Sequence, residues 1–370
     1  MKSKIDILLD QRNPFNLDEK VAEKMKFEAF KEAFTHHFNN CKDYRKYSEM
    51  NNIKLDDIKT VKDIIKIQPI PSDAFRDVDK LIRSIPENEI VSVATSSSTT
   101  SQKPCRYPLD AVTLRRTVKS AIQFLKDVDF TSGSVFMLTP SAQESDTGLV
   151  KGMSYALQKG FNFGENLYFA VKKGKFETER LISQIKESTS RPRHIYGPPF
   201  AFMHLVEYIE DNNIELKLDK GSRLVTTGGW KTVKRDVTKG ELIERVSKAF
   251  GVNCDQIRDG YGLTDIYTMI VECENHQKHV PPWVHVSARN PKNINEEVKD
   301  GKSGLLVLMS CFVNSYPAFV VTGDMGAVWK SKCKCGRTGQ IVEHRGRATK
   351  LGARGCAIRL EQFMEAITKK

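Results

Sequence analysis

The sequence predicts an α/β fold: parallel-rich sheets with helices, plus a β-rich subdomain toward the C-terminus. Two patterns carry this. Short apolar runs at Val91–Val93, Val135–Leu138, His194–Tyr196 and Leu224–Val225 alternate with amphipathic segments over 111–127, 176–187 and 240–250, as strand–helix–strand units do. From about residue 280 the strands shorten and crowd together, at Leu305–Leu308, Phe319–Val321 and Gly339–Val342. A chain of 370 residues is long enough for one large core and smaller subdomains.

The opening region, to about residue 90, is rich in Lys and Asp and reads as mostly helical. Residues 16–39 form its clearest helix. Asn16 is placed to cap it, Glu19 to complete a capping box, and Val21, Met25, Phe30, Phe34 and His37 fall on one face. The expected organisation is a helical region over 1–90, an α/β core over 91–285, a β-rich subdomain over 286–347 and a short tail over 348–370.

The net charge of +12 favours anionic partners. The basic residues are scattered among acidic ones, so they read as a solvated surface and not as a nucleic-acid footprint. No stretch approaches the roughly 20 apolar residues that span a bilayer, and the N-terminus lacks a signal-peptide pattern. A cytoplasmic location is the expectation. Eight cysteines in such a chain are not a disulfide framework. Cys41, Cys105, Cys254 and Cys311 stand alone and are expected to be small buried hydrophobes.

Five short segments carry chemistry. Thr95 is followed by six hydroxyl residues, Ser96, Ser97, Ser98, Thr99, Thr100 and Ser101, with Lys103 close behind. Hydroxyls, loop N–H groups and a cation suit phosphates, though the pattern is not a Walker loop. In Thr226-Thr227-Gly228-Gly229-Trp230, paired glycines end a strand-like run and let a flat ring approach the backbone. Asp259-Gly260-Tyr261-Gly262-Leu263-Thr264-Asp265 offers a ring to stack a base, a hydroxyl for phosphate and a carboxylate for Mg2+. Asp324, in Thr322-Gly323-Asp324, is suited to ribose hydroxyls, and Arg347, in Gly346-Arg347, to phosphate or ribose. Taken singly, each reads as a polar loop or an ordinary turn.

In this order and at this spacing the five resemble the adenylate-forming superfamily of acyl-CoA synthetases, luciferases and adenylation domains. That superfamily has a hydroxyl-rich phosphate loop with a trailing Lys, a Gly-Gly adenine strand, and Tyr-Gly-x-Thr-Glu, Thr-Gly-Asp and Gly-Arg motifs. The match runs from about residue 91 to 350. Within it the chain resembles the acyl-protein synthetases (LuxE type), with phenylacetate–CoA ligases as neighbours. The Ser-Ser-Ser-Thr-Thr loop, the segment Tyr196-Gly197-Pro198-Pro199-Phe200 and the end of the chain 20 residues after Lys350 point there.

The resemblance implies an adenylate-forming large domain without the mobile C-terminal small domain. It implies ATP and Mg2+ as cofactors, a fatty acid as substrate, and activation to acyl-adenylate followed by transfer to a thiol. The implied catalytic residues are Lys103, Thr264, Asp265 and Cys356; the nucleotide-binding set is Ser96–Thr100, Gly228, Gly229, Trp230, Tyr261, Gly262, Asp324 and Arg347. Asp265 departs from the usual Glu, and the phosphate loop lacks its glycine. The rival readings are a phenylacetate-type CoA ligase and a non-catalytic zinc-containing protein on a decayed ligase fold.

Cys333-Lys334-Cys335-Gly336 is a tight knuckle, and Cys273 precedes His279 by six residues. Three thiolates and one imidazole would complete a tetrahedral, structural Zn2+ site. His276 and His285 are substitutes for His279. The alternative is unrelated reduced cysteines and a surface histidine. In acyl-protein synthetases the acyl group passes to a cysteine near the C-terminus, which implies Cys356, with an acyl-reductase protein as onward partner. Arg354 and Arg359 nearby would favour its thiolate. The alternative is a packed tail cysteine.

Overall fold

The computed structural model describes residues 2–76, 81–96, 103–145, 148–161, 163–228, 237–348 and 350–368, without the side chains of Leu149 and of 350–358. It divides into two compact units. The first comprises Met1–Ser120, Leu263–Thr268 and His279–Lys370; the second comprises Ala121–Gly262 and Met269–Lys278.

In the second unit, a sheet runs in the order Thr268–Val271, Ile257–Leu263, Leu224–Thr227, Arg193–Gly197, Ser134–Pro140, Leu167–Lys172 and Lys175–Phe176. The pairs from Ile257–Leu263 across to Leu167–Lys172 are parallel. Alternate strand residues feed two separate cores. Phe136, Ile195, Leu224 and Ile257 pack with residues of the helices Thr178–Glu187, Pro199–Asp211 and Lys239–Phe250. Val135, Met137, Tyr196 and Val225 pack with Phe124, Leu125, Met153 and Leu157. Val135–Leu138, His194–Tyr196 and Leu224–Val225 lie on strands covered on both faces, which is why they read as continuous apolar runs in the sequence; Val91–Val93, expected to belong with them, instead enters an antiparallel hairpin with Arg106–Leu109 and leaves both valines exposed. At the end of one strand a Cβ on Gly197 would lie 2.4 Å from the Leu138 Cβ, so only glycine fits there.

The first unit holds the β-rich sheet, in the order Lys278–His279, Gln340–Arg347, Phe319–Lys330, Gly304–Ser310, Val284–Asn290 and Asn293–Glu297, with Ile70–Pro71 added in parallel to Phe319–Lys330. The helix Glu19–Asn40 lies on it: Phe30 meets His285 edge-on and His37 meets Phe319. Its cap is Asp18, whose carboxylate accepts the N–H groups of Lys20 and Val21 at 3.0 and 3.2 Å, not Asn16. Asn16 instead closes a 3-10 turn, Pro14–Asn16, and the chain is extended at Leu17. The buried face is Ala29, Phe30, Ala33, Phe34, His37 and Phe38. Val21 lies outside this face, 47% exposed.

Two further expectations are corrected. Cys41, Cys105 and Cys311 are buried, but Cys254 is exposed, because it opens a surface 3-10 turn, Cys254–Gln256. The C-terminal segment is not a free tail. Lys350–Thr368 is a helix docked on Lys42–Met50, with Phe363 fully buried against Tyr47 at 5.2 Å between ring centroids. Among the described residues, no helix is long and apolar enough to cross a membrane.

Candidate nucleotide site and metal cluster

Thr322, Gly323 and Asp324 lie on the strand Phe319–Lys330, and Arg347 ends the neighbouring antiparallel strand directly opposite Asp324. The Asp324 side chain is buried. Its Oδ1 lies 3.2 Å from Arg347 Nη1 and 3.6 Å from His344 Nε2. Thr322 Oγ1 accepts the Asp324 N–H and donates to the Leu306 carbonyl, which ties the strand backbone at Asp324 to its neighbour. The Arg347 side chain is 78% exposed, so most of its guanidinium fork faces solvent.

Thr264 and Asp265 form a 3-10 turn, Thr264–Ile266, just beyond the strand Ile257–Leu263. Both are buried. The Asp265 Oδ1 accepts hydrogen bonds from Tyr107 at 2.6 Å and from Ser72. The Tyr316 hydroxyl donates to the carbonyls of Thr264 and Asp265 at 3.4 and 3.2 Å. Phe75, Tyr107 and Tyr316 pack ring to ring around this turn. Burial pushes the Tyr107 and Tyr316 hydroxyls well above the ordinary tyrosine value, so both stay protonated donors.

The base of the hydroxyl loop is a two-stranded hairpin, Ser92–Thr95 against Arg106–Leu109. Ser96 extends it: its N–H donates to the Cys105 carbonyl, and its Oγ accepts the Cys105 N–H at 3.1 Å. Lys103 is exposed just ahead of the second strand. Ser97, Ser98, Thr99 and Thr100 lie outside the described residues, as do Gly229 and Trp230.

In the second unit, Gly228 follows the strand Leu224–Thr227 with φ +81°, the left-handed region that favours glycine. Tyr261 and Gly262 lie on the adjacent parallel strand, both half-buried. Thr226 sits opposite Asp259 and donates its hydroxyl to Asp259 Oδ1 at 3.0 Å.

Cys273, His279, Cys333 and Cys335 come together: their donor atoms all lie within 4.8 Å of one another, and Cys335 Sγ is 3.4 Å from His279 Nε2. Cys273 and His279 sit on one hairpin, joined by the Glu272–Lys278 bridge and the Cys273 N–H bond to the Gln277 carbonyl. The knuckle closes through Gly336 N–H to the Cys333 carbonyl and Cys333 N–H to the Arg337 carbonyl, with Gly336 at φ +88°. Burial raises the Cys335 thiol, but hydrogen bonds and charge from Arg337 and a bond from Cys333 bring it below its ordinary value. Ligands at zinc bond lengths in a tetrahedron lie roughly 3.5–3.8 Å apart, and the donor set of three sulfurs and one imidazole nitrogen fits that ion. The substitutes are engaged elsewhere: His276 faces Glu272, and His285 packs on Phe30.

The Cys356 side chain lies outside the described residues; its backbone is in the C-terminal helix. Arg359, expected to favour its thiolate, is instead buried, with its guanidinium bonded to Tyr47, Asn51, Gln68 and Asn295. The sequence reading also missed Ser72, Tyr107, Glu272 and Lys278. The last two were legible only as the immediate neighbours of the expected metal ligands Cys273 and His279.

This architecture is that of an adenylate-forming ligase. A 2-hydroxyisobutyryl-CoA ligase solved in an open conformation with 2-HIB-AMP and CoA superposes with a TM-score of 0.71 at 15% identity, over 90% of this chain and 76% of that one. A long-chain-fatty-acid-CoA ligase from Archaeoglobus fulgidus follows at 0.51 and 16% identity, over 71% and 52%. The chain belongs to the acyl-protein synthetase (LuxE) family, whose model matches residues 1–365. The long-chain-fatty-acid–luciferin-component ligase of Aliivibrio fischeri is 27% identical over 98% of this chain and 95% of its own. That of Vibrio harveyi is 25% identical over 98% and 94%.

Proposed function

We propose that this ligase activates a fatty acid with ATP and passes the acyl group to a protein cysteine thiol. The observation that carries the reading is the family match along residues 1–365, with relatives named for that substrate class. In the first step a carboxylate oxygen attacks the α-phosphorus of ATP; pyrophosphate leaves and acyl-AMP forms. In the second a thiolate attacks the acyl carbonyl, AMP leaves with the carboxylate oxygen, and a thioester results.

Such catalysis is mostly positioning and charge neutralisation. Ser96–Thr100 and Lys103 are assigned to the phosphates, Thr264 to the reacting phosphate, Asp324 and Arg347 to the ribose, and Gly228–Trp230 with Tyr261 and Gly262 to the base. Bound Mg2+ would neutralise phosphate charge, and Asp265 is its proposed carboxylate ligand. Zn2+ on Cys273, His279, Cys333 and Cys335 would be structural, since four protein ligands leave no open position. Cys356 is the proposed acceptor, a reductase protein the proposed onward partner, and the cytoplasm the proposed location.

The test is ATP–pyrophosphate exchange across acids from aryl to long-chain. Exchange that rises with chain length supports the reading, exchange with aryl acids and CoA-dependent AMP release would favour a phenylacetate-type ligase, and no exchange with any acid would sink it.

A further inference from the structure

Four charged side chains form one network inside the second unit. Lys278 Nζ lies 2.6 Å from Asp259 Oδ2 and 3.0 Å from Glu272 Oε1. Lys239 bonds the same Glu272 oxygen. The other oxygen of Glu272 accepts the Asp259 N–H at 3.1 Å and faces His276 Nδ1 at 3.3 Å. Asp259 is therefore held at its backbone by Glu272 and at one carboxylate oxygen by Lys278; the remaining oxygen takes the Thr226 hydroxyl.

The Glu272 side chain is 1% exposed and Lys278 is buried. Two ammonium groups balance two carboxylates. Apolar side chains of the same size would hold a core as firmly, because desolvation offsets most of a buried pair's attraction. What an ion network adds is directional register. Thr226 and Asp259 are opposite each other on neighbouring parallel strands, and each stands at the start of a segment assigned to the nucleotide: Thr226–Trp230 and Asp259–Asp265. A slip of two residues between the strands would displace Tyr261 by about 6.6 Å along its strand.

Resting on the adenylation reading above, we infer that Lys278 is a positioning residue for the nucleotide, locking Asp259 and, through it, Thr226, so that both base-contacting segments keep one register. Lys278 does not touch the nucleotide. It acts through Asp259, with Glu272 as the fixed counter-charge.

The experiment compares the parent with Lys278→Met and with Lys278→Met/Glu272→Gln, which keeps the charges balanced if the single variant fails to fold. ATP affinity is measured calorimetrically, KM and kcat by pyrophosphate exchange, and metal content on the same samples. The expected result is a rise of at least tenfold in Kd and KM for ATP, with kcat at saturating ATP within twofold of the parent and metal content unchanged. Uniform loss of ground-state and transition-state binding has that signature. Unchanged ATP affinity in a folded variant overturns the inference, and so does a rise that accompanies loss of metal, because hairpin integrity would then explain it. If the parent itself exchanges with no acid, the adenylation reading fails separately, and calorimetric ATP affinity alone decides the role of Lys278.

Discussion

Asp324 and Arg347 face each other across two antiparallel strands, with a buried carboxylate oxygen 3.2 Å from a largely exposed guanidinium. The pair is asymmetric. Thr322 and the sheet hold Asp324 in place, whereas Arg347 keeps most of its donors for something else. An exposed partner in solvent adds little to stability, so the arrangement is better suited to a ligand than to the fold. Arg347→Ala should leave the melting temperature nearly unchanged while ATP affinity falls at least several-fold, since a hydrogen bond to a charged group contributes about 1.5–3 kcal/mol. Asp324→Asn should also weaken ATP binding. Unaltered nucleotide titrations for both variants would remove the ribose assignment.

Tyr107 lies on the strand that leads away from the hydroxyl loop and donates to Asp265, the proposed Mg2+ ligand. Tyr107→Phe deletes one oxygen, leaves Ser72 as the hydroxyl donor on that carboxylate oxygen among the described residues, and should destabilise the protein by about 1.5–3 kcal/mol in denaturant titrations. Half-maximal exchange should then require more Mg2+. A variant as stable as the parent, with the same Mg2+ dependence, would show that this hydroxyl neither holds nor orients Asp265.

The four-residue cluster predicts one tightly held zinc per chain in protein purified without added metal. Cys335→Ser should lower zinc content and melting temperature together, because metal affinity that is absent from the unfolded chain adds to folding stability. A metal-free, fully folded parent would refute the site.

His194 gives a pH dependence. Its Nδ1 accepts the Arg223 N–H at 3.1 Å, so Nε2 carries the proton and donates to the Ser132 carbonyl at 3.1 Å. Burial, with Arg223 adding to it, lowers its pKa to about 4 from 6.5. A histidine with a depressed folded pKa binds fewer protons folded than unfolded. Its contribution is complete above pH 6.5 and is lost as pH falls from 6.5 to 4, amounting to about 3 kcal/mol. His194→Gln, whose amide can make both hydrogen bonds, should flatten the melting-temperature decline over that window. An equal decline in the variant would assign the acid sensitivity elsewhere.

Three of the parallel strands were legible because burial on both faces writes them as apolar runs, and the helix Lys239–Phe250 because its buried Leu242, Val246, Ala249 and Phe250 recur at helical spacing. The grouping of Cys273, His279, Cys333 and Cys335 was legible because each half is local. What the sequence hid was tertiary. Ser72 and Tyr107 reach Asp265 from 193 and 158 residues away, and no local pattern marks them. The C-terminal segment read as a short tail because the resemblance ends near Lys350, and no apolar pattern was read beyond it. Packing of Phe363 and the bonds of Arg359 hold it in place instead.

That docked helix sharpens the last prediction, that Cys356 accepts the acyl group. Cys356 lies three residues before Arg359, whose guanidinium is bound to Tyr47, Asn51, Gln68 and Asn295 and so is committed to anchoring the helix. The thiol must come within about 3–3.5 Å of an acyl carbonyl to react, so delivery belongs to the helix's first turns and not to a freely swinging chain end. Incubation with ATP and radiolabelled fatty acid, followed by neutral hydroxylamine, which cleaves thioesters, reads the transfer. Cys356→Ser should abolish the hydroxylamine-labile label while pyrophosphate exchange continues, because adenylation does not use the thiol. A variant that labels like the parent would place the acceptor elsewhere. Loss of exchange as well would mean that the helix takes part in adenylation, and the division into two independent steps would fail.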